Sequence, residues 1–434
     1  MRFSYYILIL CAVIITSLFY FPFEVSFLPG INTKMALAGV GLLLLILDLS
    51  KRRRAQIDKD FFIISLFALG VSIVSIITMV YNHTTDGSYM GYIVSMWVWT
   101  SAAYVVIKVI KSIHGKISVD LVCFYLIAVG LVQCIIAVLI ENIPAFKSFV
   151  DGFLAGEGYM GVTKRMHGIG CALDVGGGRL GAILIIISFL IPRMYKYDNH
   201  NRKIILLFVI YVFIAVVGNM IGRTATVGML ISLLYILYSL LLERDVYGGD
   251  KAGFVRSFVL IVVLSVTAMT ILYNTNYQWR KNIRFGFEGF FSLVEKGEWD
   301  VQSNDMLMSG YVFPDNPKTW IIGDGYMGNP ENDPYYIGPE SWGFYMNTDA
   351  GYCRFIFYFG LVGLSVFSLF FLKVCHVCMR RFQKYQMMFI MILLLNFLIW
   401  IKVSTDIYLV FAPFLCVSLG GEEYENSIPN SLDI

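Results

Sequence analysis

The stretch that decides the fold is FIAVVGNMIGRTATVGMLISLL, residues 213–234. It is almost wholly apolar and carries one charge, Arg223. Runs of this kind recur from one end of the 434-residue chain to the other. The whole sequence is 58% hydrophobic and 15% charged, with a mean hydropathy of +0.71. A soluble domain is nearer half apolar and about a quarter charged. The runs are continuous and about twenty residues long, the length a helix needs to cross a bilayer, whereas a membrane barrel alternates over about ten. The sequence therefore predicts an all-α polytopic integral membrane protein.

Twelve spans are expected, near 4–22, 34–50, 61–81, 91–110, 119–140, 179–194, 204–220, 224–242, 257–273, 351–372, 386–402 and 404–420. The first, without a small-residue cleavage site, reads as a spanning helix rather than a removed signal. The last pair is joined only by the short turn KVSTD. Of 33 Lys and Arg residues, 20 fall in one set of short loops, which marks that side as cytoplasmic and places both termini there. The organisation that follows is a block of nine spans over 1–273 with a medium outer loop at 141–178. A large outer loop covers 274–350, three spans cover 351–420, and a cytoplasmic tail covers 421–434. The large loop is rich in Trp, Tyr, Gly and Pro, and disordered segments are poor in aromatics. An ordered cap of short helices and turns over the outer mouth is expected. Its aromatic surfaces suit sugar rings, or else form an interfacial belt.

A net charge of +3 gives no reason to expect a nucleic-acid partner. Most of the eight cysteines lie in apolar runs, where a thiol is a small hydrophobe. Cys171 and Cys353 are both expected to face outward, where a pairing between them is open. CHVC (375–378) lacks a second ligand pair on its side, and DKD (58–60) reads as a solvated helix start, so no metal site is expected.

Arg223 falls at the outer turn between spans seven and eight. A charge at such depth costs several kcal/mol and is a functional candidate; the alternative is an anchor that snorkels to the interface. Small neighbours, Gly218, Gly222, Thr224, Ala225, Thr226 and Gly228, let other groups come close. Other outer cations are Arg179 in GGGR, Lys164 and Arg165 in GVTKRMHG, and Arg354 in DAGYCRF. Guanidinium forks grip phosphate oxygens in pairs, so their convergence would suit a lipid-linked pyrophosphate. GGGR opens the expected sixth span and could add backbone N–H groups. Asp349 ends the large loop and reads either as a helix cap or as a base for a sugar hydroxyl. Tyr352, one helical turn on, could face the same site, and His167 is a second candidate base.

These elements resemble a known family. The Arg-bearing turn GNMIGRTATVGM (218–229), the GDGY element (323–326) and TDAGYCRFIFYFGLVGL (348–364), which closes the large loop, are similar to the patterns of bacterial O-antigen and capsular polysaccharide polymerases of the Wzy type. That family is related to O-antigen ligases. The resemblance implies a membrane glycosyltransferase fold and polymerisation of polyprenyl-pyrophosphate-linked oligosaccharide repeats on the outer leaflet of the inner membrane. It implies no cofactor, metal or nucleotide, and it allows a chain-length regulator as partner. By the resemblance, Arg223 binds the leaving pyrophosphate with Arg179 and Arg354, and Asp349 activates the acceptor. The related ligases carry histidine near the end of the large loop, where this chain has Asp349. A ligase, a lipid-linked sugar transporter and a scaffold without chemistry are the competing expectations. The spans are nearly free of midplane charge, and the charges gather at the outer edge, which weighs against transport.

Overall fold

The structure is a computed structural model that describes residues 2–51, 58–155, 165–197, 201–242, 251–334, 336–338, 340 and 343–417. Among these residues it contains helices and two isolated β-bridges, with no strand. The long helices are α1 (Arg2–Tyr20), α2 (Thr33–Lys51), α3 (Lys59–Asn82), α4 (Tyr92–His114) and α5 (Val119–Asn142). After the short α6 (Pro144–Phe153) come α7 (Leu173–Tyr197), α8 (Asn201–Ile221), α9 (Ala225–Leu242) and α10 (Lys251–Thr275). The segment expected to form an ordered cap holds α11 (Tyr277–Gly286), α12 (Glu288–Lys296), α13 (Gln302–Ser309), α14 (Pro317–Ile321) and two 3-10 turns. The chain then returns through α15 (Gly351–Arg381), α16 (Gln386–Ile399) and α17 (Tyr408–Val417).

A helix therefore occupies each of the twelve expected stretches. Eight of them, α3 to α5, α7 to α10 and α15, are long and apolar enough to cross a membrane, which makes the chain a multi-pass membrane protein. Segment ends follow local chemistry. Asp58 caps α3 by accepting the Asp60 N–H, and Ser118 caps α5 by accepting the Leu121 N–H at 3.2 Å. The 24 residues of α3 rise about 36 Å, more than a ~30 Å hydrocarbon core requires.

Burial orders the bundle. The apolar window of α7 is 94% buried and that of α10 is 0% buried, so α7 is the central post and α10 stands at the rim. Every residue of α17 is buried. With 14 and 10 residues, α16 and α17 rise only about 21 and 15 Å. They are shorter than the expected final pair because the turn between them, 400–407, is tucked into the protein. Trp400 Nε1 donates to Thr405 O at 2.8 Å, and Asn396 Oδ1 accepts the Ile407 N–H at 3.1 Å. Irregular backbone is stable at such depth only where protein partners satisfy it.

Glycines set the helix spacing. A Cβ on Gly228 would lie 2.3 Å from the Gly181 Cα, so α7 and α9 touch backbone to backbone. Gly176, Gly177 and Gly178 belong to this packing. α7 begins at Leu173, six residues before the expected boundary, so the GGGR amides lie within the helix and do not form an exposed anion nest. A Cβ on Gly177 would meet Thr224 Oγ1 at 2.3 Å, and one on Gly178 would meet Ile399 Cδ1 at 2.8 Å.

DKD at 58–60 is a helix start, but not a solvated one. Asp60 is buried and holds Arg380 and Arg381, the latter at 2.7 Å, while Asp58 meets Arg381 at 2.5 Å. This clasp ties the start of α3 to the end of α15, because a buried guanidinium must be paired. Cys171 and Cys353 are buried free thiols and do not pair.

Candidate functional site

At the end of the bundle where α3 stops and α4 begins, the described residues of the segment 311–350 fold onto α15. The reason is a break in α15. Gly360 adopts φ 66°, ψ −171°, a conformation open in practice only to glycine. The break frees the carbonyls of Phe357 and Tyr358 from the helix ladder. Asp324 N–H donates to Phe357 O at 2.6 Å, and Gly325 N–H donates to Tyr358 O at 3.0 Å. The GDGY element therefore plugs the broken helix. The α3–α4 connection clamps it from the other side. Asp86 accepts the N–H groups of Met327 and Gly328 at 2.7 and 2.9 Å, and Asn82 Nδ2 donates to Gly323 O at 3.2 Å. Asp324 also accepts from Lys318 Nζ at 2.7 Å, Thr319 Oγ1 at 2.6 Å and the Tyr345 hydroxyl at 3.2 Å.

Three tyrosines line this seated segment. Tyr326, Tyr336 and Tyr345 pack on one another with centroids 5.3 to 6.4 Å apart. Burial and the neighbouring Asp333 push the Tyr326 phenol up to about 12, so it stays a donor.

Asp349 lies at the exit of this segment. It does not cap α15: the cap residue is Ala350, whose N–H is met instead by Thr348 Oγ1 at 3.3 Å. Its side chain keeps 61% exposure and stands 3.9 Å from Arg354 Nη1. Loss of part of its water shell raises its carboxyl above the ordinary value; Arg354 opposes the rise, Asp174 adds to it and Lys402 opposes it. Arg354 is 12% exposed, lies 3.8 Å from the centroid of the Phe344 ring and donates to Met327 O at 2.9 Å. Its Nε is buried without a partner.

Arg223 occupies the turn between α8 and α9. It pairs with Glu288, the first residue of α12, and stacks on the Phe285 ring at 4.6 Å. Arg165 meets the same ring at 4.7 Å, so the two expected cations do converge, on one aromatic post. The neighbouring Thr224 hydroxyl donates to Asp174 O at 2.8 Å, and Asp174 pairs with Lys402 at 3.0 Å. Through Asp174 and Lys402 the Arg223 turn adjoins Asp349.

The remaining expected site residues separate. Arg179 is 8% exposed and faces the other side of α7, where Nη1 donates to Tyr20 O at 3.0 Å. Tyr352 turns to α16: its hydroxyl donates to Phe397 O at 3.0 Å and its ring packs on Trp400, so it does not face Asp349. His167 is buried in the turn before α7 with its Nδ1 3.3 Å from Gly168 O. Gln133 of α5 holds that turn by accepting the Ile169 N–H at 2.9 Å. Lys164 lies outside the described residues. Sequence reasoning missed Glu288, Asp174, Lys402 and Asp86, because each gains its meaning from a partner more than 60 residues away. The charges in the last short turn, Lys402 and Asp406, were the one available signal. No family model, curated protein or solved structure matches this chain.

Proposed function

We propose that this chain is a polysaccharide polymerase of the bacterial inner membrane, with twelve spans and its large loop in the periplasm. It joins polyprenyl-pyrophosphate-linked oligosaccharide repeats into O-antigen or capsular chains. The observation that carries the reading is a paired-cation turn, Arg223 with Arg165 on Phe285, joined through Thr224, Asp174 and Lys402 to the exposed carboxylate of Asp349. The sequence resemblance supplies the substrate class, and the tyrosine-lined loop suits sugar faces.

In this reading the donor's pyrophosphate takes the place of Glu288 on the Arg223 fork. Fixed positive charge stabilises the leaving group as the anomeric C–O bond breaks and its electron pair departs with the pyrophosphate. The acceptor hydroxyl forms the new C–O bond and gives its proton to Asp349. Arg354 orients that carboxylate, and the seated loop keeps water from the oxocarbenium-like centre.

The test is a gel of surface polysaccharide in a strain lacking the gene, complemented at matched expression. Wild type should restore a ladder, and Arg223→Ala should collapse it to single repeats, a loss of at least 100-fold, in line with removal of one oxyanion-type donor (roughly 10²–10³). Wild-type ladders from the variant would remove the pyrophosphate role. Long chains left on the lipid carrier in the deletion strain would point to a ligase, and repeats trapped on the inner leaflet to a transporter.

A further inference from the structure

A second cationic cluster stands apart from Arg223. Lys34, in the first turn of α2, places Nζ 4.2 Å from the centroid of the Trp99 ring. Arg179 stacks on the same indole at 5.6 Å. Among the described residues the Lys34 side chain makes no hydrogen bond or ion pair, and Arg179 Nε is buried without a partner. Asp406 is within electrostatic reach of both cations, but its Oδ1 is spent on the Tyr408 N–H at 3.0 Å and it makes no ion pair with either. Two cations against one carboxylate leave the cluster with an excess positive charge.

The two cationic centres cannot serve one pyrophosphate. Gly177 packs on the Arg223 turn, and Arg179 is two residues further along α7. Two residues are a rotation of about 200°, so Arg179 emerges on the opposite face. α7, about 10 Å across with its side chains, stands between them. Asp349 feels the charges of Arg354, Asp174 and Lys402.

We propose that Lys34 and Arg179 form a second phosphate site, which holds the pyrophosphate of the acceptor while Arg223 holds that of the donor. The proposal rests on the polymerase reading and assigns its second substrate. In that reaction only the donor loses its pyrophosphate. The acceptor keeps its own anomeric C–O bond, so its pyrophosphate must be held away from the leaving-group site. The shared chemistry is a phosphate-bearing lipid headgroup.

The experiment is an equilibrium titration of the full chain in phosphatidylcholine nanodiscs with polyprenyl pyrophosphate. Wild type should bind two per chain, Lys34→Met one and Arg223→Ala one, with Lys34→Met unfolding at the wild-type temperature. One per chain in wild type, lost with Arg223→Ala, would overturn the second site and leave the polymerase reading standing; this count decides even if Lys34→Met fails to fold. Two per chain retained by Arg223→Ala would overturn the reading beneath it. A second site that vanishes when phosphatidylglycerol is added to the disc would show that any lipid phosphate fills it, and would overturn the acceptor assignment.

Discussion

In the proposed reaction the proton transfer falls to Asp349, with Arg354 3.9 Å away. A base must be ionised to accept a proton, and partial desolvation raises the Asp349 carboxyl in the folded protein. Activity should therefore be full above that raised value and fall as pH drops through it, with the acid limb displaced upward from where an ordinary carboxylate would put it. Arg354 opposes the rise. In Arg354→Gln the acid limb of kcat/KM should move to higher pH. A limb that stays in place would mean that Arg354 does not act on Asp349. Asp349→Asn should lose roughly 10²–10⁴-fold in rate at every pH, the usual contribution of a positioned base.

Among the elements, α15 does the most to build the site. A helix that continued through Gly360 would leave no free carbonyls for the GDGY segment, and the tyrosine-lined loop would have nothing to dock on. A Cβ at 360 would meet Ile321 O at 2.2 Å, and the residue's φ, ψ is closed to L side chains. Gly360→Ala should cost about 2–3 kcal/mol, the scale of strain in a glycine-only region, and should unseat the loop before it unfolds the bundle. Protease cleavage within 311–350 at an unchanged main unfolding transition would be the expected result. A variant as protected as wild type would show that the loop is held without the break. The glycines of α7 have a different duty. They are spacers between helices, which is why the anion-nest reading of GGGR fails.

For the whole molecule, the two ends differ in what closes them. One end carries the Asp58–Asp60–Arg380–Arg381 clasp and the Asp48–Lys108 pair at 2.6 Å; the other carries the seated loop and both cationic centres. The two ends lie on opposite sides of the membrane, and the positive-inside bias of the sequence predicts that the clasp end is the cytoplasmic one. A Glu298→Cys variant should react with an impermeant maleimide in spheroplasts, and Ser112→Cys only after permeabilisation. The reverse pattern would invert the topology and move the proposed site to the cytoplasm.

The sequence by itself determined that this is a membrane bundle and where its helices run, and it marked Arg223, Arg165, Arg354 and Asp349 as candidates. Those conclusions rest on apolar run length and on the cost of charge in lipid, both local properties of the chain. Only the tertiary structure decided which cations share a site. Arg179 and Arg223 look alike in sequence, yet the rotation of α7 sends one to Trp99 and the other turn to Phe285. The same holds for Glu288, Asp86 and Lys34, ordinary surface residues in the chain whose partners appear only when distant segments pack. A charge's role is fixed by what stands opposite it, and that is a property of the fold rather than of the residue.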